Sequence, residues 1–229
     1  SARVLYAGCG PLATLALPTL LVRKTRDVIV DIIDFHDESI QSARNVINEL
    51  GIDDSLGRTL ARDAGTVNLK KECILQPDIV IAEAMTSGLL YESQASIVLN
   101  LLSQVDVKKV ILIPHIIKIR LIIYSSMQGD SLQFDFFDLD RNGIHPHEDA
   151  EFDASNNEVS IHKTFPTVHD PSNGLVVQLE TVVGLGEVGE LNNPGDGVSG
   201  VIPLHTIKKK LRGAGVRYIL GCTQGCVGL

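Results

Sequence analysis

The stretch from residue 3 to residue 34 constrains the fold more than any other part of this 229-residue sequence. It begins with a short apolar run that ends at Gly8, continues through Gly10 into an apolar segment of helical length, and closes with a β-branched run that ends on Asp34. Short apolar runs bounded by glycine predict buried strands. The order of strand, glycine turn, helix and acid-terminated strand is typical of the first βαβ unit of an open α/β sheet, so it predicts a Rossmann-like fold.

The same stretch predicts a binding site for a nucleoside. Glycine at positions 8 and 10 lets the backbone approach a ligand closely, and a carboxylate at the end of the neighbouring strand can accept hydrogen bonds from a ribose diol. Asp34 ends an otherwise apolar buried strand and therefore needs a polar partner. The glycines and Ala13 also satisfy G-x-G-x-x-A, a pattern that alone does not separate NAD from S-adenosylmethionine. A tight turn with no ligand is the structural alternative.

Further acids follow the later strands of the predicted sheet. Asp63 comes just after a third strand, 56–61, where it can accept a hydrogen bond from an adenine amino group or close an Asx turn. Glu83 directly follows a fourth strand, and Glu92 comes after a short loop of small residues. Ligands bind at the carboxyl ends of strands in such sheets, so we expect Glu83 and Glu92 to converge on one cationic group. The alternative is that Glu83 merely ends a strand while Glu92 faces solvent on the following helix.

The patterns of residues 1–124 and 125–229 differ. The first part alternates strand-like runs with helical periodicity, as over 35–50, where apolar residues recur every three or four positions. The second part is rich in alternating, strand-like segments, with a polar loop predicted over 138–157. The predicted fold class is α/β, with a mostly parallel, Rossmann-like domain over 1–124 that binds the cofactor. A β-rich, barrel-like region over 125–229 is predicted to follow it and to bind the acceptor.

Composition argues against several functional classes. The net charge of −8 and the pI near 5.3, without a basic stripe that contains aromatic residues, argue against nucleic-acid binding. No apolar segment reaches about 18 residues, so no membrane span is predicted, and no cleavable signal is visible. The four cysteines are scattered, which favours reduced thiols in a cytoplasmic protein. His145 and His147 flank Pro146 in a predicted surface loop, where no metal site is expected.

Two segments carry a family resemblance, which extends over residues 3–140. Residues 4–10 resemble the cofactor loop of class I S-adenosylmethionine-dependent methyltransferases. Residues 83–92 look more specifically like the double-glutamate loop of protein arginine methyltransferases, with Met85 and Tyr91 at matching offsets.

The resemblance implies S-adenosylmethionine as the cofactor, with Asp34 contacting the ribose and Asp63 the adenine. The implied cofactor-binding positions are Gly8, Gly10, Asp34, Asp63 and Glu83. The implied catalytic residues are Glu83 and Glu92, which would bind the methyl acceptor. Tyr6 stands where the family has an acid in the first strand, Leu12 stands where it has a third glycine, and the lack of tryptophan removes the family's Thr-His-Trp loop.

The predicted function is a methyltransferase that acts on a nitrogen, arginine-like or amine, or on another polar acceptor of a peptide, protein or small molecule. A homodimer is a possible assembly. One alternative is aminopropyl transfer from the same cofactor, because residues 10–12 are similar to nicotianamine-synthase-like enzymes. The others are an NAD-dependent oxidoreductase and a non-catalytic cofactor-binding module.

Overall fold

A computed structural model describes residues 1–22, 28–84, 94–125 and 131–147, and then the strand segments 150–153, 158–161, 175–184, 190–191, 200–203, 216–219 and 227–228. The chain divides into two compact units. The first consists of residues 1–84 and 96–114, and the second of residues 85–95 and 115–229.

The first unit contains a five-stranded parallel sheet in the order β3-β2-β1-β4-β5. Its strands are β1 (Ala2–Ala7), β2 (Val28–Asp34), β3 (Leu56–Ala61), β4 (Ile79–Ala82) and β5 (Ile111–Ile113). The helices along this part of the chain are α1 (Ala16–Val22), α2 (Asp37–Glu49) and α3 (Gln94–Leu102), with a short 3-10 turn at Asp53–Ser55. The predicted Rossmann-like, mostly parallel sheet is confirmed.

Helix α2 shows how the sequence pattern produces this core. Its buried residues Ile40, Ala43 and Ile47 recur at helical spacing and face the sheet, as the periodicity over 35–50 predicts. Burial of each isoleucine contributes about 1.5–3 kcal/mol. After the helix, Gly51 adopts a left-handed φ of +65°, a conformation that glycine reaches without the steric cost of a side chain.

The second unit consists of antiparallel strands in its described part. One sheet has the order β12-β11-β6-β7-β8, with β13 paired to β11, and the other has the order β15-β14-β10-β9. The strands are β6 (Ile116–Ser125), β7 (Ser131–Asp140), β8 (Gly143–Pro146), β9 (Ala150–Asp153), β10 (Glu158–Ile161), β11 (Leu175–Gly184), β12 (Glu190–Leu191), β13 (Gly200–Pro203), β14 (Val216–Ile219) and β15 (Val227–Gly228). The β-rich prediction is confirmed, whereas closure into a barrel is not seen among the described strands.

The polar loop predicted over 138–157 is wrong, because β7 runs to Asp140 and both β8 and β9 lie within that range. The reason is alternation: Phe137 and Leu139 are buried, and Asp138 and Asp140 point to the other face of the strand. Acidic residues in an alternating register therefore continue the strand here. Among the helices that the structure describes, none is long and apolar enough to span a membrane.

Strand β6 lies on the second-unit side of the division, because it pairs with β7 on one side and with β11 on the other. Apart from residues 85–95, which belong to the second unit, the division of the chain falls between Pro114 and His115. The sequence-based boundary at residue 124 lies near the far end of this strand. The assignment of cofactor binding to one domain and acceptor binding to the other stays a prediction.

Candidate active site

The candidate site lies at the carboxyl ends of β1, β2 and β4. Strand β1 is the central strand, with β2 on one side and β4 on the other. The strand order reverses between β1 and β4, and ligands of open α/β sheets bind at such a reversal, outside the carboxyl ends of the strands. These three strand ends deliver Gly8, Asp34 and Glu83, so the fold brings together three of the residues predicted from sequence.

The loop after β1 depends on glycine for two different reasons. Gly8 and Gly10 both adopt left-handed conformations, with φ values of +78° and +61°. A Cβ atom at Gly8 would collide with the backbone carbonyl oxygen of Glu83, whereas a Cβ atom at Gly10 would meet nothing within 4 Å. Gly8 therefore permits close contact with the end of β4, while Gly10 is needed for its backbone conformation.

Asp34 ties the end of β2 to this glycine loop. Its side chain is buried, and its Oδ2 atom accepts a hydrogen bond of 2.9 Å from the backbone N–H of Gly10. Its Oδ1 atom accepts a second bond of 2.9 Å from the backbone N–H of His36. A carboxylate has about four acceptor positions. Asp34 therefore retains the capacity to accept from a pair of hydroxyl groups while it holds the loop.

Glu83 is held by β1 through both its backbone and its side chain. Its backbone N–H donates to the carbonyl oxygen of Ala7 at 3.0 Å. Its Oε2 atom accepts a hydrogen bond of 2.9 Å from the hydroxyl of Tyr6, whose side chain is fully buried. Burial raises the pKa of Tyr6 well above its ordinary value, and the hydrogen bond and negative charge of Glu83 raise it further. Tyr6 is therefore a hydrogen-bond donor at physiological pH.

Cys9 lies near two carboxylates of the site, and its pKa is sensitive to their negative charge. Its thiol is buried, and burial raises its pKa to about 12 with smaller contributions from the nearby carboxylates of Asp34 and Glu83. Among the ion pairs of the described residues, none involves Asp34 or Glu83. The carboxylates thus create an anionic environment, which favours a ligand that carries positive charge.

Asp63 adopts an Asx turn after β3. Its Oδ1 atom accepts a hydrogen bond of 2.8 Å from the backbone N–H of Gly65. The turn is attached to α3, because the Asn100 amide donates to the carbonyl oxygens of Ala64 at 2.8 Å and Val67 at 3.0 Å. The turn that sequence analysis gave as an alternative is therefore present, and a contact between Asp63 and adenine stays a prediction.

Glu92 lies outside the described residues, as do Met85 and Tyr91. Its convergence with Glu83 therefore remains a prediction.

Sequence analysis also missed the role of Tyr6. The signal was available, because a tyrosine within the buried run of residues 4–7 requires a partner for its hydroxyl.

His145 is not in a loop, because it lies in β8, whereas His147 directly follows the end of that strand. His145 Nε2 lies 2.9 Å from Asp140 Oδ1, and His147 Nε2 lies 2.9 Å from Asp138 Oδ1. Burial alone would raise the pKa of Asp140, but its hydrogen bonds with His145 and with the backbone of Asn142 lower it overall. These pairs join β7 to β8. Within the described part of the chain, no group of three or more His, Cys, Asp or Glu residues is arranged to hold a metal ion.

The parallel order β3-β2-β1-β4-β5 followed by antiparallel sheets is a Rossmann-like architecture that is shared with solved structures. The chain is similar to the Trypanosoma brucei PRMT1 enzyme-prozyme heterotetrameric complex with AdoHcy, with a TM-score of 0.56, 16% identity, and coverage of 95% of this chain and 77% of that one. It is also similar to the crystal structure of PRMT6, with a TM-score of 0.56, 12% identity, and coverage of 94% and 85%. The TM-scores show a shared fold, and at these identities the comparison shows the fold alone. No protein-family model matches the sequence, and no curated protein matches it.

Proposed function

We propose that the chain is an S-adenosylmethionine-dependent methyltransferase. The observation that carries the proposal is the pair of carboxylates, Asp34 and Glu83, beside a left-handed glycine loop at the strand-order reversal of a methyltransferase-type sheet. The two solved structures compared above are methyltransferases of the PRMT type, and the one from Trypanosoma brucei is a complex with AdoHcy, the product of the cofactor.

The described residues fit an adenosyl cofactor. Gly8 and Gly10 would bring the backbone close to it, Asp34 would accept from the ribose hydroxyls, and Asp63 would accept from adenine. When bound, the cofactor supplies a methyl group activated by a positively charged sulfonium. The anionic environment around Cys9, created by Asp34 and Glu83, suits that charge.

The acceptor would be a guanidinium or amine group bound by Glu83 and Glu92. A guanidinium presents planar N–H donors that can engage two carboxylates, which aligns the nitrogen and concentrates electron density on it. These residues would act by alignment and electrostatics, since methyl transfer is a direct displacement in which the attacking nitrogen forms its bond as the sulfonium bond breaks. S-adenosylhomocysteine leaves as the neutral thioether, and the methylated nitrogen releases its proton to water.

Calorimetric titration with S-adenosylhomocysteine, S-adenosylmethionine and NAD tests the cofactor assignment. We expect both adenosyl compounds to bind and NAD not to bind. Binding of NAD alone would overturn the proposal in favour of an oxidoreductase. Product analysis separates the remaining alternatives: methyl transfer yields S-adenosylhomocysteine, aminopropyl transfer yields methylthioadenosine, and a binding module yields neither.

Glu83→Gln and Glu92→Gln test the acceptor pair. Each should lower turnover about tenfold or more, because each removes a charge-assisted contact of roughly 1.5–3 kcal/mol to the aligned acceptor. Affinity for S-adenosylhomocysteine, which lacks the sulfonium charge, should change much less than turnover in both variants. Glu49→Gln, at the exposed end of α2, is the matched control. Methyl transfer from labelled cofactor is the measurement, and wild-type turnover in both site variants would show that the glutamates do not bind the acceptor.

We further propose that the protein self-associates and acts in the cytoplasm. The neighbour from Trypanosoma brucei is a heterotetrameric complex, which makes an oligomer a reasonable expectation for this fold. Light scattering coupled to size-exclusion chromatography measures the mass directly. A mass equal to the 24.8 kDa of one chain at every concentration would contradict the dimer.

A further inference from the structure

Tyr6 occupies an unusual place for a polar group. It lies within the apolar β1, its side chain is fully buried, and its backbone is in register with Ile32 of β2 and Ile81 of β4. A buried phenol hydroxyl requires a hydrogen-bond partner. It finds one 77 positions further along the chain, in the Oε2 atom of Glu83 at 2.9 Å.

Glu83 is otherwise exposed, so this contact determines where its carboxylate points. The backbone of Glu83 is already held, because its N–H donates to Ala7 and its carbonyl oxygen packs against Gly8. The side chain beyond the backbone has three rotatable bonds, and water competes for its oxygens. A buried, immobile hydroxyl that donates to one oxygen selects a single orientation of the carboxylate.

The proton on Tyr6 stays in place under physiological conditions. Burial, then the hydrogen bond and charge of Glu83, raise the pKa of Tyr6 far above its ordinary value. A group in this state donates a hydrogen bond and does not accept a proton near neutral pH. A role for Tyr6 as general base is therefore inconsistent with its surroundings.

We propose that Tyr6 is a positioning residue for Glu83, which orients the carboxylate for the cationic acceptor. The inference rests on the proposed function, since Glu83 is the acceptor-binding residue there. In families that this chain resembles, the corresponding position of the first strand carries an acid. Here the strand supplies a donor, and the carboxylate is supplied by the residue that follows β4.

Tyr6→Phe is the direct test, because it keeps the buried ring and removes only the hydroxyl. With an arginine-containing peptide as acceptor, kcat should fall about five- to tenfold, while the affinity for S-adenosylhomocysteine should change less than about twofold. Asp78→Asn is the matched control. Asp78 Oδ2 accepts a bond of 2.8 Å from the backbone N–H of Arg3, so it joins the same part of the chain at the opposite end of β1 and β4. The kcat of the Asp78→Asn variant should stay within about twofold of the wild-type value.

The double variant Tyr6→Phe/Glu83→Gln distinguishes positioning from a general structural role. If Tyr6 acts through Glu83, the double variant should be no slower than Glu83→Gln alone, whereas independent effects would multiply. An unchanged kcat in Tyr6→Phe, or multiplied effects in the double variant, would overturn the inference.

Urea unfolding without ligand separates this inference from the proposed function. The proteins compared are the wild type, Tyr6→Phe, Glu83→Gln and the double variant. The two substitutions should be non-additive in the unfolding midpoint, because both alter the same hydrogen bond: one removes its donor and the other removes the charge of its acceptor. If the wild-type protein binds no adenosyl compound, the proposed function is wrong. The unfolding measurements still test the Tyr6–Glu83 contact in that case. Additive midpoints would show that Tyr6 does not orient Glu83.

Discussion

The carboxylate of Asp34 has a structural task before any ligand binds. It accepts hydrogen bonds from the backbone of Gly10 and of His36, and so joins the loop after β1 to the turn after β2. This use of Asp34 does not compete with ribose binding, because each oxygen keeps a second acceptor position. The same side chain therefore shapes the loop and presents the acceptor atoms.

Asp34→Ala should weaken binding of S-adenosylhomocysteine by about 1.5–3 kcal/mol, the cost of losing a hydrogen bond to a charged group. Loss of the Gly10 contact should add to this effect through the loop. Asp37→Ala is the matched control, because it removes an equal charge from the exposed first turn of α2. Isothermal calorimetry measures both. Equal affinities for the two variants would rule out a ribose contact.

The two loop glycines allow a matched comparison of stability. Gly10→Ala should cost about 1–2 kcal/mol of unfolding free energy, because an alanine is strained in the left-handed conformation. Gly8→Ala should cost about 1–3 kcal/mol more, since its Cβ atom must also displace the carbonyl oxygen of Glu83. Urea unfolding gives both values. If the two variants are equally stable, the close contact between Gly8 and Glu83 does not add to the cost of the Gly8→Ala substitution.

At the scale of elements, side chains at the end of α3 hold the turn that follows β3 through hydrogen bonds to its backbone. Asn100 donates to the carbonyl oxygens of Ala64 and Val67, and Gln104 donates to that of Val67 at 2.9 Å. Gln104 also accepts from the backbone N–H of Leu69 at 2.9 Å. A loop without regular secondary structure is thus held by side-chain amides of a helix, and the position of Asp63 depends on that helix.

Asn100→Ala should loosen this turn at a cost of about 1–2 kcal/mol, because the carbonyl oxygen of Ala64 loses its donor. The backbone amides of Gly65 and Val67 should exchange hydrogen faster, and cofactor affinity should fall a few-fold if Asp63 contacts adenine. Ser103→Ala removes only an exposed hydroxyl that bonds within the helix region, to Asn100 at 2.8 Å, and serves as control. Unchanged exchange in Asn100→Ala would show that α3 does not hold the turn.

At the scale of the whole molecule, the place of β6 decides where the chain can be divided. Ile117 and Ile119 of this strand are buried, and the strand is paired along both edges with β7 and β11. A fragment that ends within or just after β6 would carry this apolar strand without those partners. Unpaired apolar strands promote aggregation.

Two fragments test this division. Residues 1–114 should be soluble, unfold cooperatively and bind S-adenosylhomocysteine, because Gly8, Gly10, Asp34 and Asp63 all lie in the first unit. Residues 1–124 should aggregate, because β6 is then exposed. Light scattering and calorimetry on both fragments are the measurements. Equal solubility of the two would place the functional boundary nearer to residue 124.

The sequence by itself determined the elements and the side of the sheet on which chemistry is concentrated. Periodicity predicted α2, apolar runs predicted the parallel strands, and glycines and acids marked the strand ends that carry Gly8, Asp34 and Glu83. These features depend on each residue's own neighbourhood in the chain. Turn-forming residues and the spacing of apolar residues are local properties of the sequence, so they can be recognised without knowing which residues meet in the fold.

Only the tertiary structure decided which of these residues meet. The Tyr6–Glu83 bond joins residues 77 positions apart, and the Gly10–Asp34 bond joins residues 24 positions apart. The pairing of β6 with β11 joins segments more than 40 positions apart in the chain, from Ser125 with Leu175 to Ile116 with Gly184. Such contacts depend on strand order and register, which a local pattern does not contain. Asp138 and Asp140 were predicted in a loop because they are acidic, although their alternation with the buried Phe137 and Leu139 and their pairing with β8 place them in a strand.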